Sequence, residues 1–265
     1  MEEISGIYDD DTCQSARSRR FSRRRQGAAP RQLNPLKQQY CNLIRLWRDE
    51  KNAHKWVAEN FTNLRLPFVL DIGCGEGEWA MKVAKEHDHV NVLGLELRSA
   101  ALTKERRAIA KDMPNLCLLD ANILTDLKTI LNDISLAGGS VASVMVQFPD
   151  PHWKKKNYKR RILGPGLLDS CFECLSSQAT LFVRTDVHQV VNDFSIIASR
   201  QFLEGPPDPL VDVLCQIPTE RMLYVQRKGG VTYAKTFRAR AEVVEESEED
   251  EVDDLETSEP LFGYL

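Results

Sequence analysis

An aspartate between two prolines opens the stretch of this chain whose residue types are best suited to chemistry. The sequence F-P-D-P at residues 148–151 holds Asp150 between Pro149 and Pro151, whose rings fix φ and restrict the residue before each of them. Residues 154–161 follow with six lysines or arginines among eight positions, and aromatic residues lie beside and among them. Basic runs of this kind contact the phosphate backbone of nucleic acids. The stretch therefore predicts a carboxylate at a reacting centre beside a phosphate-binding segment.

A second stretch, L-D-I-G-C-G-E-G at residues 70–77, predicts a ligand-binding turn. Asp71 precedes three glycines at every second position, Gly73, Gly75 and Gly77. Glycines let the backbone turn sharply and approach a ligand that any Cβ would displace, and the first amides of a following helix point at that ligand. The spacing differs from the G-x-G-x-x-G of dinucleotide-binding proteins. A carboxylate before the turn suits a ligand with a cationic amino-acid end, and S-adenosylmethionine has such an ammonium group.

A parallel sheet would bring the two stretches together, because functional groups in an open α/β sheet gather at the carboxyl ends of its strands. Apolar runs alternate along the chain with segments of helical period, which predicts a Rossmann-like α/β fold. The predicted strands cover residues 68–72, 90–95, 116–119, 141–147, 180–184, 211–216 and 232–238. The predicted helices cover residues 78–86, 99–111, 124–134, 165–175 and 187–201, with one or two more within 34–59.

Polar residues follow the second and third predicted strands. Glu96 lies 25 residues after Asp71 and is placed to accept hydrogen bonds from both hydroxyls of an adenosine ribose. Asp120, Ala121 and Asn122 follow the third strand, where they would border the adenine. The spacing leaves open whether Asp120 or Asn122 contacts the ligand. Carboxylates or amides at successive strand ends favour a nucleotide-type ligand at this edge of the sheet.

Charge is distributed unevenly along the chain. Residues 242–259 contain 11 acidic residues and no lysine or arginine, which leaves a net charge of +7 on the rest of the chain. Such a basic body attracts phosphate backbones. Residues 1–30 are acidic at first and then rich in arginine, which suits a nuclear-import signal, a nucleic-acid-binding arm or a solvated linker. We predict a disordered arm at 1–30, a folded domain at 31–240 and a disordered acidic tail at 241–265.

Cysteine usage and hydropathy indicate a soluble intracellular protein, which we place in the nucleus or the cytoplasm while leaving an organelle open. The seven cysteines are scattered and odd in number, which argues for reduced thiols. The C-x-x-C at residues 171–174 has no second pair to complete a zinc site, so no metal is predicted. No apolar run approaches the ~20 residues that span a bilayer. The acidic start of the chain resembles neither a secretory signal nor a transit peptide.

The stretch at residues 148–161 resembles the signature of the tRNA (guanine-N7)-methyltransferases, which pair F-P-D-P with a run rich in Trp, His, Lys and Arg. The resemblance covers residues 31–240, and further landmarks appear in the family's order. They are R-Q-L-N-P-L at 31–36, D-I-G-C-G-E-G at 71–77, G-L-E at 94–96, T-D at 185–186 and T-E-R at 219–221. Residues 152–153 read His-Trp where bacterial members tend to have the reverse order, and Asp71 stands where they often carry Glu. Neither change removes a required group.

The resemblance implies a class I methyltransferase fold. That fold is a Rossmann-like α/β architecture with a seven-stranded, mostly parallel sheet, the last strand antiparallel and helices on both faces. The implied activity is methyl transfer from S-adenosylmethionine to N7 of a guanosine in the tRNA variable loop. N7 carries a lone pair and no proton, so catalysis should rest on positioning and on stabilising the cationic purine. Asp150 could accept hydrogen bonds from guanine N1–H and the exocyclic amine, which become stronger donors in the transition state.

The resemblance also assigns residues to the two ligands. Asp150 is the catalytic residue. The donor would contact Asp71, Gly73, Gly75, Gly77, Glu96, Asp120, Ala121 and Asn122. The substrate would contact Lys154, Asp186, Thr219, Glu220 and Arg221. The implied partner is tRNA, with a WD-repeat propeller subunit if the protein is eukaryotic, and no membrane.

Three other functions share parts of these patterns. A nicotinamide-dependent oxidoreductase would have the same fold, but the glycine spacing and the F-P-D-P segment count against it. A non-catalytic tRNA-binding subunit could keep the fold, although intact Asp71, Glu96 and Asp150 argue otherwise. A methyltransferase acting on another nucleic-acid atom, such as an amino group, would usually read D/N-P-P-Y/F after the fourth strand.

Overall fold

Seven strands form one sheet in the computed structural model of the protein, which describes residues 54–240. The strands are β1 (Phe68–Ile72), β2 (Asn91–Glu96), β3 (Leu116–Asp120), β4 (Val141–Gln147), β5 (Thr180–Thr185), β6 (Phe202–Gly205) and β7 (Tyr233–Ala239). The predictions made for the arm at 1–30, the segment at 31–53 and the tail at 241–265 lie outside the described residues.

The strand order is β3-β2-β1-β4-β5-β7-β6. Strands β1 to β5 run parallel to their neighbours, whereas β7 is antiparallel to both β5 and β6. This arrangement confirms the predicted mostly parallel sheet with an antiparallel last strand. Every residue of β1, β2 and β5 is buried, as expected for central strands covered on both faces. The parallel pairing places the carboxyl ends of β1 to β5 at one edge, where the sequence predicted the site.

Helices cover both faces of the sheet, as predicted. They are α1 (Lys55–Asn60), α2 (Glu78–Glu86), α3 (Lys104–Lys111), α4 (Ile123–Leu136), α5 (Pro165–Cys174), α6 (His188–Ala198), α7 (Pro209–Gln216) and α8 (Glu220–Arg227), with a 3-10 helix at Lys155–Arg160. Leu70 and Ile72 face a core cluster built with α1, α4, α5 and α6. Val69 faces the opposite cluster, built with α2, α3 and α7. The alternation follows from the two-residue period of a strand.

The strand predicted at residues 211–216 is wrong, because that segment belongs to helix α7. Asp208 caps the helix by accepting a hydrogen bond from the backbone N–H of Val211 at 2.9 Å, and a proline occupies the first helical turn. Val211 and Leu214 are three residues apart and are both buried. The Asp-Pro pair at residues 208–209 is a local signal for a helix start, whereas the apolar run alone fits either a strand or a helix. The strand at the sheet edge is instead β6, which pairs with β7.

Two predicted helices are at least four residues longer than those observed, and one helix was missed. The segment predicted from residue 99 begins at Lys104, because the Thr103 side chain accepts a hydrogen bond from Arg106 N–H at 3.3 Å and starts the helix there. The helix predicted to reach residue 201 ends at Ala198. Helix α8 was not predicted, although Thr219 caps it by accepting from Met222 N–H at 3.1 Å.

Candidate active site at the carboxyl edge of the sheet

The F-P-D-P turn follows β4 in an unusual backbone conformation. Phe148 has φ of 51° and His152 has φ of 44°, both in the left-handed region that non-glycine residues rarely adopt. Such residues cost about 1–3 kcal/mol each and persist only where the surroundings hold them. Phe148 N–H donates to the carbonyl of Arg184 on β5 at 2.7 Å, which fixes the start of the turn. Asp150 lies exposed between the two strained positions.

Arg161 fixes the far end of the same turn. Its Nε donates to the carbonyl oxygen of Pro151 at 2.8 Å, and its Nη1 contacts Asp193 Oδ2 of α6 at 3.0 Å. The guanidinium also lies 3.7 Å from the centre of the Tyr158 ring. These contacts attach the turn to helix α6. The backbone is therefore held in place both before and after Asp150. The ordering role of Arg161 could not be read from a basic run in the sequence.

The glycine turn is hydrogen-bonded to the end of β2. Gly73, Gly75 and Gly77 have φ of 77°, 60° and 77°, so all three use the conformational freedom that glycine provides. Gly73 N–H donates to the carbonyl of Leu95 at 2.7 Å, and Gly75 N–H donates to Glu96 Oε2 at 2.9 Å. The loop is therefore attached to β2, and its role in binding the donor stays a prediction.

Alanine at position 77 should destabilise the protein more than alanine at position 138. Both glycines have positive φ, at 77° and 84°, so both variants meet the left-handed penalty of roughly 1–2 kcal/mol. A Cβ at Gly77 would also lie 2.8 Å from the side chain of Leu118, whereas a Cβ at Gly138 meets nothing within 4 Å. Urea denaturation of Gly77→Ala and its matched control Gly138→Ala measures the difference. Equal losses of stability would contradict the close approach of the turn to β3.

Asp71 and Glu96 form a buried acidic pair beside the glycine turn. Asp71 is 4% exposed and Glu96 is 5% exposed. Burial, and next the charge of Glu96, raise the pKa of Asp71 to about 7. Glu96 is better satisfied, because its other oxygen accepts from Arg98 N–H at 2.8 Å. A buried carboxyl with so high a pKa would be strongly stabilised as an anion by a cation placed next to it.

The residues after β3 divide into an ion pair and a helix cap. Asp120 Oδ1 lies 2.5 Å from Arg107 Nη2 of α3. Asn122 is buried and caps α4, where its Oδ1 accepts from Leu124 N–H at 3.2 Å. Ala121 N–H donates to the carbonyl of Glu96 at 3.0 Å and so continues the edge of the sheet. Each predicted residue lies at the strand end, and the choice between Asp120 and Asn122 as the donor contact stays a prediction.

The predicted substrate residues fall into two groups. Arg221 Nη2 and Asp186 Oδ2 are 2.5 Å apart, so the segments after β5 and at the start of α8 meet. Thr219 caps α8. Glu220 lies in the first turn of α8. A hydrogen bond with Glu78, and next its charge, raise the pKa of Glu220.

Lys154 lies apart from these contacts. It is exposed and comes immediately before the 3-10 helix at Lys155–Arg160, four positions after Asp150. The structure thus keeps Lys154 on the same turn as Asp150, with its ammonium group open to an approaching ligand.

Two further residues that the sequence did not single out hold α8 in this place. The indole N–H of Trp79 on α2 donates to the carbonyl of Ile217 at 3.1 Å. Arg184 on β5 is buried and donates from Nη2 to the carbonyl of Cys215 at 2.7 Å. The segment before Thr219 is therefore attached to both α2 and β5. The only sequence signal for this contact is the indole N–H of Trp79, which needs a hydrogen-bond acceptor when the side chain is buried.

Comparison with known proteins assigns the chain to a family. A family described as putative methyltransferase matches residues 65–233. The tRNA (guanine-N(7)-)-methyltransferase of Synechococcus elongatus is 32% identical over 209 residues, which cover 77% of this chain and 93% of the relative. The chain belongs to the tRNA (guanine-N7)-methyltransferase family. The enzyme of the same name from Microcystis aeruginosa is 27% identical and covers 78% of this chain, with 96% of its own length aligned.

Family membership agrees with the order of the landmarks along the edge of the sheet. The matched region runs from before β1 into the start of β7, so it contains the glycine turn, the F-P-D-P turn and α8. Within residues 54–240 no helix is long and apolar enough to cross a membrane. In the same residues no three His, Cys, Asp or Glu side chains converge as metal ligands would.

Proposed function

We propose that the protein transfers the methyl group of S-adenosylmethionine to N7 of a guanosine in the variable loop of tRNA. The observation that carries this proposal is the position of Asp150 and the glycine turn at one edge of the sheet, in a chain that is 32% identical to a named tRNA (guanine-N(7)-)-methyltransferase. Strands β1 and β4 are direct neighbours, so the residues that follow them open onto the same crevice.

The donor side fits a ligand with a cationic end. Asp71 is buried with a raised pKa, so an ammonium group beside it would stabilise the ionised carboxylate. Glu96 would accept the ribose hydroxyls, and the segment from Asp120 to Asn122 would border the adenine. A Cβ at Gly75 would meet no atom within 4 Å, so the ligand would pass along the backbone at this glycine. When bound, S-adenosylmethionine supplies an activated methyl group on a positively charged sulfur.

Asp150 would act on the guanine rather than on the donor. The nucleophile N7 has a lone pair and no proton, so the site needs no general base. Asp150 accepts hydrogen bonds from N1–H and the exocyclic amine, and these strengthen as the purine becomes cationic. The strained turn that presents Asp150 keeps the carboxylate in place before the substrate arrives, which lowers the cost of reorganisation.

The remaining predicted residues would border the tRNA. Lys154 offers an exposed ammonium group beside Asp150. The ion pair of Asp186 and Arg221 would border the tRNA after β5, and Thr219 and Glu220, at the start of α8, would lie between the two ligands. A WD-repeat propeller partner, which the family resemblance implied for a eukaryotic protein, stays a prediction.

One incubation tests the reaction. Bulk tRNA with methyl-labelled donor is expected to yield label in N7-methylguanosine after digestion to nucleosides. Label in another nucleoside would favour a different acceptor atom. Donor and tRNA binding without any label would favour a non-catalytic tRNA-binding subunit.

Replacing the three lysines at residues 154–156 by glutamine should weaken tRNA binding and reduce its salt dependence. Each phosphate contact that is lost removes about one unit from the slope of log affinity against log salt. Titrations between about 50 and 200 mM salt measure that slope. Donor affinity serves as the control and should not change. An unaltered slope would mean that these lysines do not touch phosphates.

A further inference from the structure

Gln147 ends strand β4 with a buried amide nitrogen that has no acceptor in the described protein. The side chain is 9% exposed, and its Nε2 has no hydrogen-bond partner among residues 54–240. An amide nitrogen carries two N–H donors, and burial removes the water that would otherwise accept from them. Because an unpaired buried donor is costly, we expect this nitrogen to face an acceptor when the site is occupied.

Arg184 on β5 determines the direction in which the amide points. Its Nη1 lies 3.5 Å from Gln147 Oε1. A guanidinium can only donate, so the amide oxygen faces Arg184 and the amide nitrogen faces away from it. Arg184 Nη2 donates to the carbonyl of Cys215 at 2.7 Å, and the guanidinium lies 5.0 Å from the centre of the Phe182 ring. Arg184 is 6% exposed, so these contacts hold both side chains in place.

The charge of Arg184 has no counter-ion in the part of the chain that the structure describes. Its contacts are the carbonyl of Cys215, the sulfur of Met222 at 3.3 Å and the oxygen of Gln147, and it makes no ion pair with any of residues 54–240. Buried charges are usually paired, because the protein interior solvates them poorly. A donor amide beside an unpaired guanidinium therefore favours an anionic acceptor, such as a carboxylate, over a neutral carbonyl.

Gln147 lies on the face of the sheet that carries the predicted donor residue Asp71. Met145, two positions before Gln147, packs into the same core cluster as Val69, two positions before Asp71. Side chains alternate along a strand, so Gln147 and Asp71 project from one face. Asp71 pairs with Met145 across β1 and β4. A strand spacing of about 4.8 Å and two rises of about 3.3 Å then separate the Cα atoms of Asp71 and Gln147 by about 8 Å.

We propose that the amide of Gln147 binds the α-carboxylate of S-adenosylmethionine, while Asp71 binds the ammonium group on the same carbon atom. The inference rests on the proposed function and adds a donor-binding residue to it. Each protein group then meets a ligand group of complementary polarity, and Arg184 behind the amide supplies the positive charge that balances the carboxylate. Two contacts at the methionine end would fix its orientation and, with it, the direction of the sulfonium methyl group.

Two ligands separate the carboxylate contact from the rest of the donor site. S-adenosylhomocysteine carries the α-carboxylate, whereas its decarboxylated analogue keeps only the ammonium group, the ribose and the adenine. Gln147→Leu should lose on the order of tenfold in affinity for S-adenosylhomocysteine, because a hydrogen bond to a charged group is removed. The same variant should bind the decarboxylated analogue as wild type does. Calorimetric titration of the full chain measures both affinities.

Two further variants control for the fold. Gln201→Leu is the matched control, because the Gln201 amide donates to Asp169 at 3.1 Å immediately before β6, at the far edge of the sheet. Its affinities for both ligands should equal those of wild type. Gln147→Glu has nearly the size of the native side chain and can pair with Arg184, so it should fold. Its negative charge should cost more than tenfold in affinity for S-adenosylhomocysteine and should not weaken the decarboxylated analogue.

The outcomes separate this contact from the proposed function. Equal losses for the two ligands in Gln147→Leu, or wild-type affinity of that variant for S-adenosylhomocysteine, would overturn the contact. Normal donor affinity with weakened tRNA binding would also overturn it and would assign the amide to the guanine. If wild type forms N7-methylguanosine and Gln147→Leu shows no selective loss, the carboxylate contact alone fails. If the selective loss is found and wild type forms no N7-methylguanosine, the proposed function fails and the contact stands.

Discussion

The Asp150→Ala variant is expected to retain measurable donor binding and to lose on the order of 10²–10³-fold in turnover, the range seen when one transition-state hydrogen-bonding group is removed. Asp150 is exposed at the mouth of the crevice and does not support the core, so the fold should survive the change. The loss arises because the hydrogen bonds to N1–H and the amine stabilise the cationic purine more than the neutral guanine. Single-turnover methyl transfer with saturating tRNA measures the effect.

Asp88→Ala gives the matched control for this experiment. Asp88 is an exposed aspartate in the loop before β2, at the opposite edge of the sheet from the crevice. Its removal should leave turnover unchanged. Near-normal turnover in Asp150→Ala would refute the catalytic role, whereas an equal loss in both variants would point to a general effect on the fold.

Replacing Asp71 by asparagine is expected to raise the stability of the free protein near pH 8 and to weaken donor binding severely. The pKa of Asp71 is raised from 3.8 to about 7, so between these values the folded state holds a proton that the unfolded chain has lost. The contribution of Asp71 to the free energy of unfolding is therefore fully present below about pH 4, and it is lost as the pH rises through 7. At higher pH the cost is about 4 kcal/mol, from three pKa units at about 1.4 kcal/mol each.

The same carboxyl should make donor binding pH-dependent. An ammonium group favours the ionised form of Asp71, so binding below about pH 7 releases a proton and donor affinity increases as the pH approaches that value. Calorimetry in buffers of different ionisation enthalpy measures the released proton, and thermal melts without donor at pH 5 and pH 8 measure the stability. Asp71→Asn should abolish the proton release. An Asp71→Asn variant that is less stable than wild type at pH 8 would contradict the destabilisation assigned to the buried, ionised carboxylate.

Glu96→Gln separates the two causes of that raised pKa. The change removes the charge that disfavours ionised Asp71 and leaves the burial in place. The pH dependence of donor binding should then shift to lower pH without disappearing.

Local sequence patterns predicted the site where a short segment defines its own geometry. The three glycines indicated positive φ angles, and the apolar strands ending at Asp71 and Glu96 indicated the edge on which the carboxylates meet. The prolines around Asp150 indicated a stiff turn. They did not indicate that Phe148 and His152 would adopt left-handed conformations, since few residues other than glycine occupy that region and a bulky phenylalanine rarely does.

The contacts that the sequence could not give are pairings between distant segments. Arg107 with Asp120, and Arg221 with Asp186, join residues that were visible only as isolated charges. The wrong strand at 211–216 has a similar origin, because a short apolar run fits either a strand or a helix until its partners are known. The cap at Asp208 was the local signal that decides between them.

The position of β7 between β5 and β6 determines when the sheet can be completed during synthesis. Strand β6 precedes β7 in the chain, yet β7 is the neighbour through which it joins the sheet. While a nascent chain ends before residue 233, β6 has no strand to pair with, and the edge of β5 that β7 will cover is open. The segment through Ala239 must therefore leave the ribosome before the open edges of β5 and β6 are paired. A chain that ends before Tyr233 lacks β7 and also leaves β6 outside the sheet.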